Sequence, residues 1–70
     1  MVVQRSTMSG SLWKLHIKVG DQVEAGQEIA ILESMKMEIP IQAEGSGTIT
    51  EVYKIEGDFV QEDEVLAKIE

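Results

Sequence analysis

The sequence predicts an all-β domain, a compact sandwich or flattened barrel of two four-strand halves related by a pseudo-two-fold. Three observations predict it. The first is an internal repeat. At a constant, ungapped offset of 37 positions, Gly10–Glu33 aligns with Gly47–Glu70, with six identities in 24 pairs. Gly20-Asp21 falls on Gly57-Asp58, Val23 on Val60, Ala30 on Ala67 and Glu33 on Glu70. The second is apolar alternation at the two-residue period of a strand. The third is turn punctuation at matching places in the two halves.

The elements follow in order. In "GSLWKLHIKVGD", Leu15, Ile17 and Val19 share one face of a strand. Leu12 stands three residues before Leu15, and Ile49 and Val52 repeat that step, so a bulge is expected near Trp13-Lys14. Gly20-Asp21 and Gly57-Asp58 mark turns where a positive φ is useful. Glu24-Ala25-Gly26-Gln27 is a second turn; its counterpart has Asp63 in place of Gly26, and Asp tolerates the left-handed region better than most residues. "EIAILE" is a continuous apolar run, as in a strand covered on both sides. In "MEIPIQA", Met37, Ile39 and Ile41 share a face; Pro40 lies on the other, tolerable on an edge strand.

"ESMKM", between these two runs, consists of helix-compatible residues. It is also the junction between the repeats. Under the pseudo-symmetry its equivalent is the meeting point of the termini, which puts Lys36 on a hairpin tip at the opposite end, pointing into solvent.

Composition narrows the function. Seventy residues make one domain, residues 1–70. The absence of Cys excludes disulfides and thiolate metal sites, and one His cannot build a zinc site. No metal site is expected. A net charge of −7 opposes binding to nucleic acid or to an anionic membrane. No nucleophile–base pair or phosphate-binding glycine loop is visible, so no catalytic residue is assigned. The reading is a soluble, cytoplasmic, monomeric domain that is not itself an enzyme. His16 and Tyr53, equivalent by the repeat, are read as lone outward or half-buried aromatics. "EGDFVQEDEV" is read as a solvated acidic face, and Trp13 as a single surface apolar residue or a partner contact.

Nearly the whole chain, from about Met8 to Glu70, resembles the biotinyl/lipoyl attachment domain family. The residues that carry the likeness are Met8-x-Gly10, Gly20-Asp21-x-Val23, Gly26-Gln27, Glu33-Ser34-Met35-Lys36-Met37, Gly47 and Gly57-Asp58-x-Val60. The resemblance implies a flattened β-barrel of two four-stranded antiparallel sheets, a barrel-sandwich hybrid. It implies that Lys36 carries biotin as an amide, with Met35 and Met37 read by a biotin protein ligase and Glu33 and Ser34 completing the tip motif. The implied function is a biotin carboxyl carrier, shuttling carboxyl groups between a biotin carboxylase and a carboxyltransferase. Met35 and Met37 favour biotin; lipoyl members typically have Asp before the lysine and lack the flanking methionines. Ser34 stands where the biotin motif usually has Ala, Thr7 where many members have Pro, and there is no room for the protruding thumb of some carriers. A lipoyl carrier for 2-oxo-acid dehydrogenases, a dual acceptor of biotin and lipoate, and an unmodified interaction module are the other readings. The chain is read as a free-standing small carrier or a domain of a longer protein.

Overall fold

The computed structural model describes Met1–Glu70. Its eight strands are β1 (Val2–Arg5), β2 (Gly10–Leu15), β3 (Gln22–Val23), β4 (Glu28–Ser34), β5 (Met37–Gln42), β6 (Gly47–Val52), β7 (Phe59–Val60) and β8 (Val65–Ile69). They form two four-stranded sheets, ordered β1-β8-β6-β3 and β5-β4-β2-β7, with antiparallel pairing throughout. The expected all-β, two-sheet fold is the one observed. The offset of 37 carries β2 onto β6, β3 onto β7 and β4 onto β8. It also carries β5 onto β1, although Val2–Arg5 shares no identity with Ile39–Gln42. The repeat read from Gly10 onward therefore missed its first strand.

Burial follows the same symmetry. Leu12 and Ile49, Val23 and Val60, Ile29 and Leu66, Ala30 and Ala67, and Leu32 and Ile69 are buried pairs. Ile41 and Ala43 are buried too, and their equivalents are the only buried polar residues, Gln4 and Ser6. A buried amide needs partners, or its desolvation counts fully against the fold. Gln4 has them: Nε2 donates to the Gln42 carbonyl at 3.1 Å, and Oε1 accepts from the Glu44 amide at 2.7 Å. The side chain thus fastens β1 to the chain leaving β5. Among the buried apolar side chains, Ile17 alone lacks a buried equivalent. Lys54 takes that place, half-buried, with its Nζ 2.5 Å from Glu64.

Both expected bulges are present. The β2–β4 register shifts between Leu12 and Lys14, and the β6–β8 register between Ile49 and Glu51. Each makes two residues oppose one and brings the apolar parity back to the core. Pro40 lies on β5, an edge strand, as expected. Asp63 holds φ at 68°, as Gly26 holds 87°. In these turns the Gln27 and Glu64 amides donate to the Glu24 and Gln61 carbonyls, with positive φ at the third residue, the type II pattern.

Three expectations need correction. β2 ends at Leu15 rather than continuing to Val19, and Val19 is 62% exposed. Only Ile17 of that stretch remains in the core, within a loop. "EIAILE" is not covered on both sides: the strand bulges between Glu28 and Ala30, so that Ile29 and Ala30 are both buried, while Ile31 is half-buried on the outer face. "EGDFVQEDEV" is more than a solvated acidic face. Asp58 Oδ2 accepts the Ile55 amide at 3.1 Å, Glu64 Oε1 the Gln61 amide at 2.9 Å, and Glu56 Oε2 the Leu15 amide at 3.0 Å. Those carboxylates satisfy turn and strand-end donors that the ladders leave unpaired. Asp21 does the same for the Lys18 amide, at 3.0 Å, which explains the Gly-Asp pair in both halves.

Candidate functional site

The tip is built by the β4–β5 hairpin. Its last pair is Ser34 opposite Met37, preceded by Glu33 opposite Glu38. Only Met35 and Lys36 remain to turn the chain, and both have positive φ, 52° and 63°. A two-residue hairpin loop with two left-handed residues is a type I′ turn, whose twist matches that of the strands. Asn-Gly is the usual filling. Here two long side chains occupy positions that cost an L-residue about 1–2 kcal/mol each. The strand ladder overrides both this cost and the helix propensity of the letters.

The geometry presents the tip to solvent. Met35 is 92% exposed and Met37 61%, and Lys36 is exposed. Met37 is in phase with Ile39 and buried Ile41, yet at the hairpin end it has no core to fill. Met35 has none either, so packing explains neither methionine. Ser34 is half-buried, and Glu33 and Glu38 are exposed. Lys54 and Lys68 are paired with Glu64 and Glu51, and Lys14 Nζ lies 5.3 Å from the centre of the Trp13 ring. Lys36 and Lys18 are in no ion pair. All five residues expected at the site, Glu33 through Met37, thus lie together on one turn and its flanking pairs.

The tip is held from below. A Cβ added at Gly10 would stand 2.8 Å from the Glu33 carbonyl oxygen and 3.3 Å from Ser34 Cβ, so only glycine lets β2 approach the last turn of β4. Away from the tip the termini pair, Val2 opposite Ile69. The chain leaving β5 runs beside β1 in that direction, with Glu44 on Arg5 and Gly45 on Val2. The expected placement of Lys36 opposite the termini therefore holds. Sequence reasoning missed Gln4, the residue that locks this far end. Its signal was the alignment of Gln4 with Ile41.

Elsewhere the chemistry is structural. Tyr53, half-exposed as expected, donates its hydroxyl to Glu51, which Lys68 also approaches at 3.2 Å. The Tyr53 hydrogen bond and Lys68 hold the Glu51 carboxyl below the usual carboxylate range, and Glu51 holds Lys68 and Tyr53 above theirs. His16 Nε2 lies 2.9 Å from Glu28, both exposed. No group of three or more His, Cys, Asp or Glu side chains is placed to hold a metal ion. The surface hollow of about 560 Å³ between Gln22–Gln27 and Ser46–Thr48 opens beside the paired termini, away from Lys36.

Fold and tip define a display domain: a two-sheet body that holds one free lysine at an exposed apex. Known proteins place it more closely. The profile of the biotin/lipoyl family, described as "Biotin-requiring enzyme", matches residues 3–69. The chain is 64% identical over 62 residues to the Biotin/lipoyl attachment protein of Bacillus subtilis, covering 89% of this chain and 85% of that one. It is 40% identical over 68 residues to the mitochondrial propionyl-CoA carboxylase alpha chain of Homo sapiens, covering 97% of this chain but 9% of that protein. The crystal structure of the Kluyveromyces lactis urea carboxylase contains the same fold, with a TM-score of 0.86 and 35% identity, over 97% of this chain and 6% of that one. The chain belongs to the biotinyl/lipoyl attachment domain family.

Proposed function

We propose that Lys36 is the covalent attachment point for biotin and that the domain is a non-catalytic carboxyl carrier serving a biotin carboxylase and a carboxyltransferase. The observation that carries this reading is the tip: an unpaired lysine held at the apex of a type I′ turn, with nothing of the domain folded over it. The similarity to a carboxylase chain and to a urea carboxylase supports the carrier role.

The site fits such a group. Only a primary amine at Lys36 Nζ is needed to form the amide, and the apex leaves the attached arm free to swing. A primary amine in neutral water is overwhelmingly ammonium and not nucleophilic. No side chain of the domain forms a hydrogen bond or ion pair with Lys36 Nζ, so a ligase must take the proton. The freed Nζ then attacks the activated carboxyl of the donor, the amide C–N bond forms and the activating group leaves. One positive charge is lost from the tip. Biotin bound there supplies a ureido nitrogen that accepts and releases a carboxyl group. Everything the chain itself does is mechanical: it anchors the arm, keeps it clear of the body and raises its effective concentration at the partner sites.

A second reading adds lipoate as an alternative load on the same lysine. The name of the 64% identical Bacillus relative covers both groups. Intact mass after incubation with biotin, ATP and biotin protein ligase, and separately with lipoate and lipoate ligase, tests both. A single biotinyl addition that Lys36→Arg abolishes is the expected result. Label that persists in Lys36→Arg, on Lys14, Lys18, Lys54 or Lys68, would refute the assignment, and a lipoyl addition would establish the second load.

A further inference from the structure

The two sheets derive from one repeated pattern, yet their outer faces differ. Across the β1-β8-β6-β3 sheet, Val3, Lys68 and Glu51 lie in line. This row is satisfied internally: Lys68 pairs with Glu51, Tyr53 donates to Glu51, and Thr50 Oγ1 donates to the Lys68 carbonyl. The equivalent row of the other sheet is Pro40, Ile31 and Lys14, with Trp13 as the extra residue of the bulge. Trp13 is 43% exposed, and its ring lies beneath the only cation of this row. The next row towards the tip is Glu38, Glu33, Ser11 and Phe59, and Phe59 is 63% exposed. Glu33 and Glu38 face each other directly, which like charges do at a cost to the sheet. Neither has an ion-pair partner in the domain. One face is closed on itself. The other carries an apolar centre and an uncompensated acidic rim next to Lys36.

We infer that the outer face of the β5-β4-β2-β7 sheet, centred on Trp13, Ile31, Pro40 and Phe59, docks the enzyme that acylates Lys36. That enzyme would offer an apolar patch framed by Lys or Arg side chains opposite Glu33 and Glu38. The inference rests on the reading of Lys36 as the attachment point. A second copy of the domain is disfavoured, because the facing glutamates and the net charge of −7 would repel it. An enzyme acting at the far end of the attached arm works at a distance from the strands. The acylating enzyme must bring its reactive centre to Nζ itself. A two-residue turn is far smaller than the roughly 800 Å² per partner of a specific interface. Contact must therefore continue down the body, and the tip strands β4 and β5 both belong to this sheet. Ile31 stands three residues below Ser34, about 10 Å down the strand.

The test is steady-state biotinylation of the domain by purified biotin protein ligase, with biotin and ATP saturating and the domain concentration varied. Trp13→Glu and Phe59→Glu are compared with Thr50→Glu, the equivalent of Trp13 on the closed face, and thermal unfolding confirms that each variant is folded. The expected result is a KM about ten-fold higher for either variant, with kcat within two-fold, and no change for Thr50→Glu. Glu33→Gln with Glu38→Gln should flatten the rise of KM with salt. Wild-type KM in a folded Trp13→Glu or Phe59→Glu variant would overturn the docking face while leaving Lys36 as the anchor. The docking face is equally overturned if these variants slow only later carboxylation of the loaded domain by biotin carboxylase. A wild-type domain that takes no label at Lys36 would overturn the anchor, and the docking face with it.

Discussion

Replacing Met35 by Asn separates what the tip does for folding from what it does for recognition. Met35 sits at φ 52° in the first position of a type I′ turn. That position costs an ordinary L-residue about 1–2 kcal/mol, and Asn recovers much of it through local hydrogen bonding. Little is lost in exchange, because Met35 is 92% exposed and buries almost no area. The expected gain is about 1 kcal/mol, which for a domain of this size raises Tm by roughly 4–8 °C. Thermal unfolding of the unmodified domain, followed by circular dichroism, reads it. Biotinylation of the same variant should slow despite the added stability, because the soft methionine that an enzyme could grip is gone. An unchanged or lower Tm would refute the claim that the turn is strained. An unchanged kcat/KM for labelling would refute the claim that Met35 is read.

Gln4→Leu copies the buried Ile41 of the other half but orphans the Glu44 amide and the Gln42 carbonyl. We expect a loss of about 2 kcal/mol in urea unfolding; a gain would mean that aliphatic packing outweighs those bonds. Asp63→Val places a β-branched residue at φ 68° and should cost at least about 1 kcal/mol, whereas Asp63→Gly should be close to neutral; equal stabilities would remove the turn as the reason for Asp63. The exposed or half-buried Tyr53–Glu51–Lys68 and Lys54–Glu64 groups predict shallow losses of stability at both ends of the pH range. The Tyr53 and Lys68 contacts lower Glu51, and Lys54 lowers Glu64, so their contribution is present above about pH 4.3 and fades as pH falls through the depressed values. Lys54, Lys68 and Tyr53 are raised, so theirs is present below about pH 10 and fades as pH climbs through the raised values. Tm measured against pH should lose part of its acid slope in Glu51→Gln with Glu64→Gln; an identical slope would show that these contacts contribute nothing.

Much of this architecture was written locally. Gly20-Asp21 and Gly57-Asp58 announce turns because glycine alone adopts their φ freely and the following carboxylate can cap the turn. The three-residue step from Leu12 to Leu15, repeated at Ile49 and Val52, announces a bulge because parity must be restored for one face to stay buried. The repeat offset located Lys36 at a junction, and hence at an apex. What escaped detection depends on partners distant in sequence. β1 was missed because Val2–Arg5, despite its two valines, is too short to show a period and is ordered by pairing with β8, at the other end of the chain. Gln4 reads as a surface residue until Gln42 and Glu44 are brought around it.

The sequence by itself determined the all-β class, the two-fold repeat, the turns and the lysine at the junction, because periodicity, glycine conformation and side-chain chemistry act over a few residues. Only the tertiary structure decided that Met35 and Lys36 adopt left-handed backbone, that β1 completes a sheet, and that one sheet face pairs its central charges while the other leaves Glu33 and Glu38 unpaired beside Lys36. Those outcomes follow from cross-strand register, which sets which side chains meet, and register is fixed by the whole ladder rather than by any one stretch of chain.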